Sequence, residues 1–365
     1  MINYLIKPNC YIVDPYNQLG GGKVSQVNLR ICIELTKAFS QVVQFSLSGN
    51  LIFSSILFLK FILKMNSNKS CKDIIIFQGI FEVQYLIADF FLRNKKRLII
   101  IPRGAFVPSD RSNIFVKKQH LKILLWNWFI KKRLNNSGTW VATSDLERKR
   151  FLFIGAKIQN SLIIPDSFST NRLHNSSGIL LNKLIEKDYL LYVGRISQEK
   201  NVLFLIEVIN SLIQKGLNKK LIILGPISDL RYYNLVVDKI NLYSLKEFII
   251  FRNSKLSLEL NEYYQNSCCV LLPSFIESFG LVVLEALQFK KVIFVSQNVP
   301  LSFISSEAGK QLNLNVKLWS DEIFNFCNQK NDFNVDSNKI FNKFSIEKIS
   351  LLWLNATNLL KDGRL

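Results

Sequence analysis

The sequence predicts an α/β fold made of two doubly wound parallel sheets, and three observations carry that expectation. Short aliphatic and β-branched runs alternate with longer helical patterns along the chain, the order that builds parallel sheets flanked by helices. The alternation breaks at a polar segment, NRLHNSSG (171–178), and then restarts. At 365 residues the chain is also longer than one hydrophobic core ordinarily serves, so two domains are expected.

The elements follow in order. In the first half, DIIIFQG (73–79), RLIIIPRG (97–104) and TWVATS (139–144) read as buried strands, with helical spacing in FEVQYLIADFFLRN and KKQHLKILLWNWFIKKRLNN between them. SLIIPDSFST (161–170) leads into the polar segment, which has the composition of an interdomain linker. In the second half, YLLYVGRIS (189–197) is a strand ending in a glycine loop, followed by a helix at about 200–215. The strands KLIILGP (220–226), KEFIIF (246–251), CCVLLPS (268–274) and KVIFVS (291–296) come next, with a helix at 257–267 and another after 274. Two Rossmann-like domains are expected, residues 1–170 and 171–345.

Composition narrows the function classes. Hydrophobic residues make up 48% and charged residues 20%, as in a folded globular protein. The net charge of +20 favours an anionic partner: nucleic acid, a sugar nucleotide, a phosphorylated lipid or an acidic membrane surface. The six cysteines form no C-x-x-C pair, and there are two histidines, so neither a zinc site nor a disulfide framework is expected. The first residues lack a basic region followed by an apolar run, so no signal peptide is expected. LIFSSILFLKFIL (51–63) is too short to span a bilayer and contains Lys60. A soluble, cytoplasmic protein is the expectation.

In open parallel sheets, ligands bind at the carboxyl ends of the strands, and three stretches fall there. In VGRISQEKN (193–201), Gly194 allows a tight turn and Arg195 and Lys200 flank the next helix start, a favourable diphosphate site; the bland reading is a solvated basic loop. In PSFIESFGLVVLEA (273–286), Glu277 and Glu285 stand eight positions apart around Ser-Phe-Gly. A helix starting near Phe279 would turn the amides of Ser278, Phe279, Gly280 and Leu281 outward, where they favour negative charge. Carboxylates at Glu277 and Glu285 suit hydroxyl recognition, as of a ribose. The third stretch, Gly20, Gly21 and Gly22 before a helix, is weak by itself but stands at a candidate cleft lip.

Together these residues resemble family 4 glycosyltransferases of the GT-B fold. YVGRISQEKNVLFLIEVI is similar to that family's G-R-x4-K segment, and PSFIESFGLVVLEA to its P-S-x-x-E-x-F-G-x-x-x-x-E-A motif. The stretch from IPRGAF to ATSDLER resembles a bacterial subgroup that builds surface polysaccharides such as lipopolysaccharide. FSIEKISLLWLNATNLL resembles the C-terminal helix, here 346–362, that returns to the first domain. The resemblance implies an N-terminal acceptor-binding domain and a C-terminal nucleotide-sugar-binding domain facing across a cleft. It implies a retaining hexosyl transfer from a nucleoside-diphosphate sugar to a glycan or polyprenyl-diphosphate-linked acceptor. Arg195 and Lys200 would bind the diphosphate, Glu285 the ribose and Glu277 the transferred sugar, with Gly194 and the amides of 278–281 completing the donor site. The Gly20–Gly22 loop would approach the diphosphate from the other domain. No cofactor and no metal are implied, in keeping with the lack of a D-x-D motif.

The acceptor half departs from the family. Gln78-Gly79 stands where many relatives have His-Gly, and Arg103 where many have histidine. Arginine cannot be a general base, so Arg103 is a candidate for binding phosphate or orienting the acceptor, or else a structural partner of a carboxylate. The linker reads IIPDSF in place of I-P-N-G. KKQHLKILLWNWFIKKRL (117–134), basic at both ends with Trp126, Trp128 and Phe129 between, suits a peripheral contact with the inner face of a membrane; an ordinary packed helix is the plain alternative, as it is for 51–64. Three rival readings stand beside it: a GT-B epimerase or hydrolase of sugar nucleotides, a nucleic-acid-binding protein, and a non-catalytic glycosyltransferase-like subunit, which the intact Glu277/Glu285 and Arg195/Lys200 sets argue against. The second rests on charge alone, without a recognisable nucleic-acid motif.

Overall fold

The computed structural model describes residues 7–14, 21–46, 51–67, 73–79, 87, 91, 98–103, 138–153, 155, 161–169, 187–255, 257–300, 308–329 and 337–361. In chain order the strands are β1 (Cys10–Asp14), β2 (Val42–Ser46), β3 (Ile74–Gln78), β4 (Leu98–Ile101), β5 (Thr139–Ala142), β6 (Ser161–Ile163), β7 (Tyr189–Val193), β8 (Leu221–Leu224), β9 (Ile249–Arg252), β10 (Ser267–Leu272), β11 (Val292–Ser296) and β12 (Gly309–Leu312). The described helices are α1 (Gly21–Leu35), α2 (Leu51–Ser67), α3 (Asp145–Phe153), α4 (Val202–Gln214), α5 (Leu230–Leu242), α6 (Ser257–Asn266), α7 (Leu281–Gln288), α8 (Val316–Asn328), α9 (Ser337–Lys343) and α10 (Ile346–Lys361). The chain divides into two compact units, Met1–Ser167 with Ile346–Leu365, and Phe168–Ser345.

Among the described residues, unit one holds a parallel six-stranded sheet in the order β2-β1-β3-β4-β5-β6. Its strands are apolar without alternation because both faces are covered. On one face Cys10, Ile12, Ile74, Ile76, Ile99 and Val141 pack against Leu29, Cys32 and Ile33 of α1 and against Ile349, Trp353 and Ala356 of α10. On the other, Val13, Ile75, Phe77, Leu98, Ile100 and Trp140 meet Phe58, Ile62 and Met65 of α2 and Phe151 of α3. The change of face at each successive residue, Ile74 to Ile75 to Ile76, is the two-residue period of a strand. α10 completes the first core although it follows the whole second unit in the chain. The outward side of α2 leaves Ile56, Leu57 and Leu63 about half exposed, interleaved with exposed Lys60 and Lys64. Among the described residues no helix is long and apolar enough to cross a membrane.

Among the described residues, unit two holds a second parallel six-stranded sheet, β12-β11-β10-β7-β8-β9. β7 and β8 are buried along their whole length. α4 buries Val202, Leu205, Ile206, Ile209 and Leu212, a helical i, i+3, i+4 stripe. It packs beside α8, where Phe204 meets Trp319 edge-on at 5.2 Å.

Two helix starts differ from the sequence expectation. The helix expected from about 200 begins with a 3-10 turn over Gln198–Lys200 and becomes α-helical only at Val202. Asn201 makes the break, at φ 55 and ψ 40. The helix expected near Phe279 begins at Leu281, because Gly280 takes φ 91 and ψ 55 as its N-cap. Phe279 itself turns into the core, edge-on to Phe344 at 5.2 Å. The basic stretch 117–134, the linker 171–178 and Gly20 lie outside the described residues.

Gly225 sets a steric limit on the second sheet. Gly194 N–H donates to the Leu224 carbonyl at 2.9 Å and Ile196 N–H to the Pro226 carbonyl at 2.9 Å, so the loops after β7 and β8 run side by side. A Cβ on Gly225 would lie 1.9 Å from the Gly194 carbonyl oxygen. Gly216 also has positive φ, but a Cβ there would meet nothing within 4 Å. Gly225→Ala is therefore expected to cost about 3 kcal/mol or more, from a backbone clash added to strain. Gly216→Ala should cost only the left-handed penalty of about 1–2 kcal/mol. Urea unfolding of the two variants side by side measures the difference, and equal losses would remove the clash as the cause.

Candidate active site

In the second sheet the strand order reverses between β10 and β7: β8 and β9 lie to one side of β7, and β10, β11 and β12 to the other. A reversal of this kind leaves a crevice at the carboxyl ends of the two strands, where ligands of open α/β sheets bind. The loop after β7 carries Gly194, Arg195 and Lys200, and the loop after β10 carries Glu277 to Gly280. Topology alone brings these sequence-predicted residues to one place.

Hydrogen bonds fasten the two loops. Phe275 N–H donates to the Glu199 carbonyl at 2.9 Å. Asn201 Nδ2 donates to the Pro273 carbonyl at 3.2 Å, with Asn201 itself buried. Lys200 Nζ donates to Glu277 Oε1, with both side chains about one-seventh exposed (15% and 13%). Ser274 Oγ donates to the same oxygen at 3.1 Å. Ser274 is fully buried, and its carbonyl accepts from Ser296 Oγ at the end of β11. A largely desolvated charge pair holds together only when its remaining polar atoms are also satisfied, and the serine supplies part of that.

Arg195 differs from Lys200. Its side chain is 46% exposed and pairs with Glu199 at 3.1 Å, four residues on, a contact worth only about 0.3–0.5 kcal/mol. Its backbone is firmly placed, because the carbonyl accepts from the buried Tyr192 hydroxyl at 2.8 Å. Burial, reinforced by the Glu277 charge, pushes the Tyr192 phenol well above its ordinary pKa, so it stays a donor. Ser197, on the same loop, has a buried hydroxyl with no hydrogen-bond partner; a buried polar atom of that kind is uncommon in native structures.

Glu285 lies on the second turn of α7 and is partly buried. Its Oε2 accepts from Tyr264 Oη at 2.8 Å. Tyr264 is 1% exposed and stacks on Phe289 at 5.5 Å with planes 8° apart. Burial, and then the neighbouring carboxylate, drive its pKa well up. Tyr264 thus orients the carboxylate as a permanent donor.

Sequence reasoning missed Tyr264, Asn201 and Ser197 as contributors. Tyr264 carries no motif, since an aromatic in SLELNEYYQNS reads as core. Asn201 had a usable signal, an asparagine after a short turn, where left-handed backbone is tolerated.

The first unit has its own polar line at the corresponding edge, where the order reverses between β1 and β3. Asp14, ending β1, accepts from Gln44 Nε2 and from Gln78 Nε2, the latter at 2.6 Å. Gln78 Oε1 accepts from Arg103 Nε at 3.0 Å and Nη2 at 2.8 Å. Arg103 Nη1 pairs with Asp166 Oδ1, and Asp166 Oδ2 accepts from Ser25 Oγ at 2.9 Å. Arg103 is therefore engaged with a carboxylate and holds φ 52, uncommon for a non-glycine residue. Burial raises the Asp14 carboxyl, opposed by its glutamine hydrogen bonds and the Arg103 charge. The cavity beside Arg103 and Asp166 has a volume of about 10 Å³, room for roughly one water. Gly21 and Gly22 open α1. Among the described residues no cluster of metal-ligating side chains occurs.

Comparisons with known proteins bear on the family and the fold. Residues 181–305 match the family described as glycosyl transferases group 1. An uncharacterized glycosyltransferase of Methanocaldococcus jannaschii is 28% identical over 111 residues, 30% of this chain and 27% of that protein, so the match spans about a quarter of the relative's length. The sucrose-phosphate synthase of Thermosynechococcus elongatus superposes with a TM-score of 0.76 at 14% identity, covering 98% of this chain and 100% of that one. The Anabaena HepE protein, solved with UDP and glucose, superposes with a TM-score of 0.72 at 14% identity, covering 96% and 99%. The fold is the α/β architecture of GT-B glycosyltransferases, and residues 181–305 are similar to the glycosyl transferases group 1 family.

Asn201 tests the loop tie independently of any ligand. Asn201→Ala should cost about 2–3 kcal/mol, the sum of a left-handed penalty of about 1–2 and a lost hydrogen bond of about 1. Asn201→Gly, which keeps the backbone geometry, should cost only about 1 kcal/mol. Thermal unfolding is expected to rank wild type above Asn201→Gly above Asn201→Ala; an inverted order of the two variants would mean that the backbone conformation is not what Asn201 supplies.

Proposed function

We propose that the protein is a retaining glycosyltransferase that moves a sugar from a nucleoside-diphosphate sugar to a glycan or polyprenyl-diphosphate-linked acceptor in surface polysaccharide synthesis. The observation that carries this reading is the meeting of Arg195, Lys200, Glu277 and the start of α7 where the second sheet reverses its strand order. The HepE complex, holding UDP and glucose in a protein of the same fold, agrees with such a donor.

The chemistry follows from charge. Breaking the bond between sugar and diphosphate through an oxocarbenium-like transition state leaves negative charge on the departing diphosphate. Fixed cations and helix amides aimed at that charge lower the barrier without reorganising. An ammonium has three N–H donors; Lys200 gives one to Glu277, which fixes its position, and Arg195 adds a second cation beside it. Glu277 contacts the transferred sugar, and Glu285, oriented by Tyr264, accepts from the ribose hydroxyls. Gly280 lets the chain enter α7 with no side chain between its first amides and the phosphates. In the first unit, Arg103 acts through its place in the Asp14–Gln78–Asp166 line and positions the acceptor side.

Lys200 is a poor residue to truncate first. Removing one partner of a buried pair leaves the other charge unpaired and costs about 3–5 kcal/mol, so Lys200→Ala would mix stability with catalysis. Arg195→Ala is the cleaner variant. In a thermal-shift screen against UDP, GDP, CDP, ADP and TDP, one diphosphate should raise the melting temperature by mass action. Arg195→Ala should keep the melting temperature of the free protein within the small effect of a surface pair, lose most of the ligand shift, and slow turnover by about 10²–10³-fold, the scale of one preorganised donor. No shift with any nucleotide would sink the reading.

Ribose recognition gives a second test. Wild type should favour the ribonucleoside diphosphate over its 2′- and 3′-deoxy forms. Glu285→Ala should abolish that preference, and Tyr264→Phe, which keeps the stack on Phe289, should reduce it while leaving binding of the deoxy forms unchanged. A full preference in Glu285→Ala, by titration calorimetry, would remove Glu285 from the ribose.

The lipid-linked form of the acceptor draws support from α2, where exposed Ile56, Leu57 and Leu63 lie among exposed Lys60 and Lys64, and from the net charge of +20. Such a face suits the interface of an anionic bilayer. Co-sedimentation with vesicles containing anionic lipid should fall sharply for Leu57→Glu with Leu63→Glu; equal sedimentation of variant and wild type would take α2 out of the contact.

A further inference from the structure

At the amino end of the second sheet, away from the loops just described, three thiols gather on β10 and α8. Cys268 Sγ lies 3.7 Å from Cys327 Sγ. Cys268 falls where the register between β10 and β7 shifts between Ser267 and Cys269, and an irregularity of this kind re-aims a side chain out of the regular alternation. Cys269 points into the core with no exposed surface, whereas Cys268 and Cys327 are both partly exposed free thiols.

Charged groups surround the pair. Lys291 Nζ donates to the carbonyls of Gln265 and Ser267, both at 2.8 Å. Lys219 Nζ pairs with Asp188, and both lysine charges act on Cys268, with Asp188 opposing them. Thiols beside ammonium groups ionise more readily than isolated ones. Hydrogen bonding with the neighbouring thiols, together with the Lys219 charge, holds the Cys268 thiol below its ordinary range. Hydrogen bonding to Cys268, and then burial, push Cys327 above its ordinary range. Two thiols in contact, one of them beside ammonium groups, can supply the attacking and the resolving sulfur of thiol–disulfide exchange.

We infer that Cys268 and Cys327 form a dithiol exchange site for small aliphatic disulfides of the glutathione class. The Cys268 thiolate attacks one sulfur of the small disulfide; that S–S bond breaks, a thiolate leaves, and a mixed disulfide forms on Cys268. Cys327 then attacks the Cys268 sulfur, its proton going with the second departing thiolate. The protein dithiol loses two electrons, and the small disulfide is reduced to two thiols. Closing 3.7 Å to a bonded distance of about 2.05 Å needs the sulfurs to approach by roughly 1.6 Å. The site uses none of the residues assigned to sugar transfer, so it stands or falls independently of that function.

The test exposes the folded full chain to oxidised glutathione at pH 6, where an ordinary thiol is protonated, blocks remaining thiols with iodoacetamide in acid, and maps the peptides by mass spectrometry. The expected product is a disulfide joining the peptides of Cys268 and Cys327, formed while circular dichroism shows the fold intact. Cys327→Ser should stop at one glutathione on Cys268, and Cys268→Ser should leave Cys327 unmodified. A wild-type map in which both cysteines remain free, or in which glutathione stays on Cys268 without linkage to Cys327, overturns the proposal. So does linkage whose rate rises only as urea unfolds the chain. The wild-type map decides the matter even where a serine variant fails to fold.

Discussion

The second unit depends on one constraint: the loops leaving β7 and β10, neighbouring parallel strands about 4.8 Å apart, must stay in contact beyond the end of the sheet. The ladder of backbone hydrogen bonds ends there, and side chains take over. Phe275 to Glu199, Asn201 to Pro273 and Lys200 to Glu277 continue the connection. On the other side of β7, backbone to backbone pairing between 194–196 and 224–226 does the same, at a separation only glycine permits. Arg195 is thereby carried on a loop held from two directions, with its own side chain left exposed.

Charge is buried on this edge, and buried charge is costly unless paired and hydrogen-bonded. The second unit answers with Lys200, Glu277, Ser274 and Ser296 in succession. The first answers with Asp14, Gln78, Arg103, Asp166 and Ser25, alternating acceptors and donors. Both lines lie where strand order reverses in their own sheets. The same topological position, repeated in two sheets, is where each departs from apolar filling. That is the pattern expected when the reversal serves binding and the rest of the sheet serves stability.

The opposite edge of the second sheet tells a different chemical story. There the strands begin, and the polar groups are thiols, lysines and Asp188 rather than the loop residues of the carboxyl edge. β10 spans both edges, from Cys268 at its start to Pro273 just past its end. The two chemistries are separated by a strand whose interior, Cys269 to Leu272, is buried.

Most of the strands and helices were legible in the sequence, because a helix or a strand is specified by apolar spacing over a few turns or a few residues, and those patterns are local, although β1, β2 and β12 were not read as strands. IIIF at β3 and YLLYV at β7 declare themselves by composition alone. The sites of polar chemistry were legible as residue types in two short motifs, which is why Arg195, Lys200, Glu277 and Glu285 stood out before any fold was known. What each side chain touches was not. Lys200 and Glu277 neutralise one another across 77 residues of chain, Arg103 meets Asp166 across 63, and Tyr264 finds Glu285 from a helix with no motif at all. The left-handed turns at Asn201 and Gly280, which moved two helix starts, also follow from how the loops must fit. The sequence by itself determined most of the segments that form strands and helices and which residues carry charge at the strand ends, since both are written in neighbouring positions. Only the tertiary structure decided which of those charges are spent on one another, because that depends on strand order, and strand order is set by packing between residues far apart in the chain.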